Sequence, residues 1–175
     1  MDVFEAIQKR YSVRKYLEGP VPEDKLMRMM EAARLAPSAG NAQEWRFVIV
    51  TDPEKRQALS QAAQGQAFVA EAPVVIVACA DTDERVMACG QLAYSIDVAI
   101  ALEHIALQAT AEGLGTCWVG AFLEGQAREV IGAPEHIRIV QLMTLGYPEL
   151  PPKPKSRRNI AEIVMREQWG RTGPG

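Results

Sequence analysis

Two short basic stretches stand far apart in this chain: Lys9-Arg10-Tyr11-Ser12-Val13-Arg14-Lys15 and Lys153-Pro154-Lys155-Ser156-Arg157-Arg158. Together these 13 residues hold 8 of the 19 Lys and Arg residues and no acid, although the formal net charge is −3. A guanidinium grips two phosphate oxygens at once, and a Ser hydroxyl adds a further donor. Arg10 and Arg14 are spaced i, i+4, so they share one face if the helix before them continues. Taken singly, each stretch also reads as a solvated helix end or a basic linker. Together, in an acidic chain, they point to one anion, and phosphate suits them best.

A second group is the loop Pro37-Ser38-Ala39-Gly40-Asn41-Ala42-Gln43, small and polar throughout. The amides of Asn41 and Gln43 suit the edge of a heterocycle with alternating C=O and N–H groups. The same residues would serve an ordinary helix-to-strand connection. Gly113, Gly115 and Gly120 are spaced GxGxxxxG and follow a helical pattern, so they do not make the dinucleotide fingerprint, and GxxxxGK[ST] is absent. Gly120 could offer its N–H to a flat ligand, although a turn glycine is its plainer reading. His104 and His136 have no metal or triad context, and Cys117 beside Trp118 reads as core packing. No pair of acids has a recognisable spacing. The side chains therefore support no acid–base, zinc or covalent-nucleophile mechanism. In an enzyme, a cofactor would carry the chemistry.

The elements that must position these residues follow from periodicity and punctuation. Asp2 caps a short helix to about Lys9, and Pro22 opens a second that runs to Ala36. Residues 45–51 read as a strand, 53–63 as a surface helix, and 73–80 (PVVIVACA) as a strand buried on both faces. Residues 84–113 read as one long Ala-rich helix with Ile96, Ala99, Ile100, Ala106, Leu107 and Ala111 as its buried stripe. At about 45 Å it is too long for one small core, which predicts that part of it covers a second subunit. Strands at 116–121 and 137–146, a helix at 124–131 and a last short helix at 159–166 complete an α+β pattern without the even βαβ cadence of a doubly wound fold.

The 175 residues, 48% hydrophobic and 23% charged, fit one domain with a core. Mild acidity argues against nucleic acid or membrane as main partner. Three scattered Cys, no signal-like start and no long apolar run predict a cytoplasmic protein. The expected boundaries are a single domain at 1–169 and a disordered tail at 170–175.

Four segments, in order, resemble the short, single-domain branch of the FMN-dependent nitroreductase family. They are Arg10-Tyr11-Ser12-Val13-Arg14, Ala36 to Trp45 (APSAGNAQEW), Gly113 to Phe122 (GLGTCWVGAF) and Lys155-Ser156-Arg157. The resemblance implies a three-layer α+β fold with a central mixed, mainly antiparallel sheet, an Ala-rich dimer-core helix, and a homodimer with FMN at the subunit interface. Arg10, Ser12, Arg14, Lys155 and Arg157 would hold the phosphate, ribityl chain and pyrimidine edge. Ser38, Ala39 and Asn41 would reach the isoalloxazine edge from the partner subunit, and Pro37 and Gln43 would also bind the cofactor. Val119 and Gly120 would border it, with the Gly120 N–H at flavin N5.

The implied activity is ping-pong hydride transfer from NADH or NADPH to FMN and on to a nitroaromatic, quinone or similar acceptor. Two alternatives stay open: specialised flavin chemistry on the same fold, such as dehalogenation or flavin fragmentation, and a non-catalytic nucleotide- or anion-binding module. The chain departs from the family pattern at Glu44, where Pro is common, and at Val119, where another branch has Glu. It has little sequence between Ala80 and the long helix, which implies an open cleft.

Overall fold

The computed structural model describes residues 1–171. Its centre is a four-stranded sheet in the order β1 (Trp45–Val50), β2 (Val74–Asp81), β4 (Ile137–Gly146), β3 (Gly115–Val119), every neighbouring pair antiparallel. The single parallel element is a bridge from Ser12 to Thr116, which lays the N-terminal segment beside β3. Seven of the eight β2 residues are buried, because helices cover both faces of the sheet. Ile76, Ala78, Met143 and Leu145 face α2 (Glu23–Arg34) and α5 (Ala93–Ala111). Val75, Val77 and Leu142 face α3 (Pro53–Ala62), α4 (Ala67–Glu71) and α6 (Glu124–Ile131). The result is the expected three-layer α+β arrangement.

Gly115 and Gly146 lie directly opposite each other in the β3–β4 register. An added Cβ on Gly115 would sit 2.3 Å from Val13 Cγ2, and one on Gly146 2.8 Å from Tyr16 Cδ1. The missing side chains leave room for the N-terminal segment to cross the end of the sheet. Tyr16 is fixed there by hydrogen bonds to Val13 O (2.8 Å) and Thr144 Oγ1 (2.6 Å).

Three sequence expectations fail. The long helix covers only Ala93–Ala111, about 28 Å. Before it, residues 84–92 form a tight hairpin with Val86 bridged to Leu92, and with Glu84 (φ 58°) and Gly90 (φ 84°) in left-handed conformations. A glycine in a helix interior is unfavourable, and this stretch has no apolar stripe to bury. The helix is thus short enough for one core, and its length no longer argues for a partner.

Its buried face also differs from the expected stripe. Tyr94, Val98, Ala101, Leu102, Ile105 and Ala109 point inward together with Ala106, the one member of the expected stripe that is buried, while Ile96 is 40% exposed. A helix apolar all round gives periodicity little to choose between.

Lastly, α1 (Val3–Lys9) ends at Arg10, so Arg10 and Arg14 share no helix face. The closing helix α7 is a single turn, Ile160–Ile163, capped by Asn159. Gly170 and Arg171 of the expected tail take part in a turn, in which the Arg171 N–H donates to Gln168 O; residues 172–175 lie outside the described part. No helix among the described residues is long and apolar enough to cross a membrane.

Candidate cofactor site

The two basic stretches meet. Lys155 reaches back 147 positions, and its ammonium donates to Gln8 O and, at 3.4 Å, to Ile7 O. Both are last-turn carbonyls of α1, which lack helical partners and favour a cation. Partial desolvation, then the neighbouring Arg10 and Arg157, hold the Lys155 ammonium below the usual lysine range. Lys155 thus sits at the end of α1 that Arg10 follows, with Arg157 two residues beyond it, and the three cations gather there. Glu103 of α5 steadies Arg10 at 3.6 Å. Arg157 is exposed, with its Nη1 donating to Ser156 O at 2.8 Å.

Ser12 and Arg14 are exposed on either side of buried Val13, whose N–H donates to Thr116 O (2.9 Å). The Arg14 guanidinium lies 5.7 Å from the centre of the Phe68 ring on α4. Two residues earlier, Gln66 Nε2 donates to Ala121 O (3.2 Å). The start of α4 thus adjoins both Arg14 and the turn after β3. Gly120 is exposed in that turn, and its N–H has no partner among the described residues. Val119 is buried against the α6 side of the core, so only its backbone can face a ligand. A cleft of about 370 Å³ opens along the segment, lined by Tyr11, Ser12, Arg14, Lys15, Leu150 and Lys153. Tyr11 closes one wall by donating to Leu150 O (2.5 Å).

The Asn41 loop is not brought to this cluster. It leads into β1, at the opposite edge of the sheet from the N-terminal segment. Three strand spacings, roughly 14 Å, separate β1 from β3. The loop is a single 3₁₀ turn, Ala39–Asn41, with Gly40, Asn41 and Gln43 all at positive φ (62°, 56° and 52°). Ser38 Oγ accepts the Gln43 N–H (3.1 Å), and Pro37 is exposed. His104 Nδ1 lies 3.0 Å from Ala32 O, half-buried, and the exposed His136 Nε2 lies 3.9 Å from Asp81 Oδ1. No group of metal-ligating residues occurs among the described residues.

Sequence reasoning missed several contributors. Phe68 under Arg14 and Gln141, whose amide lies 3.6 Å from where a Gly120 Cβ would be, come from elements distant in sequence. Asp97 carried a legible signal, as an acid within the apolar run of α5.

The nitroreductase family model matches residues 7–82 and 63–147. The chain belongs to the nitroreductase family. A family relative, the NADH dehydrogenase of Thermus thermophilus, is 35% identical over 196 residues, covering 94% of this chain and 96% of the relative. A nitroreductase family protein from Clostridium novyi NT superposes with a TM-score of 0.80 at 33% identity, over 98% of this chain and 97% of that one. The NADPH:FMN oxidoreductase from Vibrio harveyi, solved in complex with NAD+, reaches 0.89 at 27% identity over 98% and 79%. Nitroreductase family membership makes the chain an oxidoreductase, and the fold expected from the resemblance is the one observed.

Proposed function

We propose that the chain is an FMN-dependent NAD(P)H oxidoreductase that works as a homodimer, passing electrons by a ping-pong cycle to a nitroaromatic, quinone or similar acceptor. The observation that carries this reading is the docking of Lys155 on the last-turn carbonyls of α1, which brings the second basic stretch to the end of the helix that Arg10 follows. Glu103 offsets only part of the positive charge gathered there, and a bound anion would offset more of it. A phosphate monoester fits that donor set, and the relatives' names supply its most economical bearer, FMN.

FMN, when bound, accepts a hydride from the reduced nicotinamide and returns the electrons to the acceptor. The rest is the work of the chain. Arg10, Lys155 and Arg157 neutralise the phosphate, and Ser12 and Arg14 continue the donor line toward the heterocycle. A guanidinium near the pyrimidine edge favours negative charge there. The unpartnered Gly120 N–H is a fixed donor that needs no rearrangement.

Residues 37–43 would reach the heterocycle from a second copy, since their own sheet edge lies too far away. The second apolar face of α5, with Ile96 exposed and Ile100 and Leu107 half-buried, gives that copy a surface to cover. One cofactor-binding domain at 1–169 and a cytoplasmic location complete the reading.

The test is FMN titration followed by rapid-mixing reduction with NADH and with NADPH. Arg157→Ala is expected to weaken FMN binding about tenfold, the loss of one charge-assisted contact. A purified protein that takes up no FMN would refute the proposal. Bound FMN that neither donor reduces would transfer it to specialised flavin chemistry.

A further inference from the structure

The Asn41 loop is held by groups that have no other evident use. Ala39 donates its N–H to both carboxylate oxygens of Asp97 (3.1 Å each), and Asp97 is only 3% exposed on α5. The carbonyl of the same Ala39 accepts from Arg85 Nη2 (2.9 Å). One residue is thus gripped at both ends, by an anion on its donor and a cation on its acceptor. At the other end of the loop, Glu44 Oε1 accepts from Thr82 Oγ1 (2.6 Å), and Glu44 O accepts the Asp81 N–H (2.9 Å). Thr82, Arg85 and Asp97 belong to one stretch, the hairpin and the start of α5.

That stretch is itself anchored. Arg138 on β4 donates to Glu84 (2.5 Å) and to both oxygens of Glu124 on α6 (2.9 and 3.2 Å). The loop needs such bracing. Three consecutive or near-consecutive residues at positive φ, two of them not glycine, persist only where their surroundings over-determine them. Among the described residues the buried Asp97 carboxylate has one N–H donor and no cation within salt-bridge distance, an arrangement that costs free energy.

We infer that Arg85 and Asp97 are positioning residues: they pre-set the loop of residues 38–43 in the shape that receives the cofactor, so that binding need not order it. The inference rests on the proposed FMN site. It gives the 84–92 hairpin, with Thr82 just before it, the role of a fixed brace under the cofactor loop. The Glu44 carboxylate belongs to the same brace. Its second oxygen, Oε2, is buried and unpartnered among the described residues.

The experiment compares wild type, Arg85→Ala, Arg85→Lys and Asp97→Asn by FMN fluorescence titration, apo-protein melting and hydrogen exchange of the amides of residues 38–43. Arg85 is exposed, so its truncation leaves the core intact. Arg85→Ala is expected to weaken FMN about fivefold to tenfold and to speed exchange at 38–43 without shifting the apo midpoint. Arg85→Lys, which can still donate to Ala39 O, should recover most of the affinity. Asp97→Asn should weaken FMN similarly, and with Arg85→Ala the losses should be less than additive, since both grip one residue, Ala39.

Unchanged FMN affinity and unchanged exchange in a folded Arg85→Ala overturn the inference, as does a loss that tracks the melting midpoint alone. If the wild-type protein takes up no FMN, it is the functional reading that fails; loop exchange in the variants then still decides whether the brace exists.

Discussion

Gly115→Ala is a single methyl aimed at the joint between fold and site. The new Cβ would lie 2.3 Å from Val13 Cγ2, 3.0 Å from Val13 Cβ and 3.5 Å from Cγ1. Ordinary contact begins near 3.4 Å, so one methyl must give way by about 1 Å. Rotating Val13 about χ1 does not remove the clash at its Cβ, and Val13 is β-branched and 2% exposed. The backbone of the 12–14 segment must move. Overpacking of this kind costs about 1–3 kcal/mol, offset by up to about 1 kcal/mol because alanine loses less chain entropy than glycine. The net expectation is a loss of about 1–2 kcal/mol in urea denaturation.

The same shift carries Ser12 and Arg14 away from their positions, so FMN affinity should fall about tenfold in the same variant. Adding Val13→Ala removes both methyl contacts and leaves only the 3.0 Å approach. The double variant should therefore lose less than the sum of the two single changes. A Gly115→Ala protein with wild-type midpoint and wild-type FMN affinity would refute the packing account of this joint.

Further outcomes follow from the helical layer. The Glu112 carboxyl is held at about 2 by bidentate bonds from Arg28 (2.6 and 2.8 Å), with help from Gln108 (2.9 Å). Its contribution is present above the unfolded value near 4.5 and fades as pH falls toward 2. Glu112→Gln should therefore cost on the order of 1 kcal/mol at pH 7, a figure kept small because Arg28 is half-exposed, and the gap to wild type should close between pH 4.5 and 2. Acid titration of urea midpoints checks this. Leu102→Ala, at a fully buried position on α5, should cost about 2–5 kcal/mol with FMN affinity in the folded fraction unchanged, since α5 meets the sheet there and not the cationic cluster.

Much of the fold was legible because its signals are local. The run at 73–80 announced a doubly buried strand, Asp2 a capped helix, and Pro53 the start of α3. The long helix was misjudged for a reason that is not local. Alanines and isoleucines around the whole of α5 fit a helix at any length, and only Gly90 with its left-handed turn marks where the chain reverses.

The site was legible as chemistry but not as geometry. Basic residues and a Ser suggested phosphate, yet a helical i, i+4 face was expected where an extended segment exists. Lys155 gave no sign that its first partners are the α1 carbonyls. The loop's composition suggested a heterocycle edge, whereas Arg85 and Asp97 are 46 and 58 residues away from the peptide they hold. Pairings at that separation leave no trace in periodicity.

The crossing of the N-terminal segment over the paired glycines, tied down by Lys155, also sets an order of events during synthesis. Ser12 waits for Thr116, Tyr16 for Thr144 and Pro148, and the α1 carbonyls for Lys155. Residues 10–16 are made long before the partners they pair with and so are among the last to find their place, and closure over such separations is slow. A nascent chain stopped before residue 150 could pair all four strands and still lack the cationic cluster. If the proposed phosphate site is right, a chain lacking residues 153–158 should fold its sheet yet bind FMN poorly, because Lys155 and Arg157 are missing.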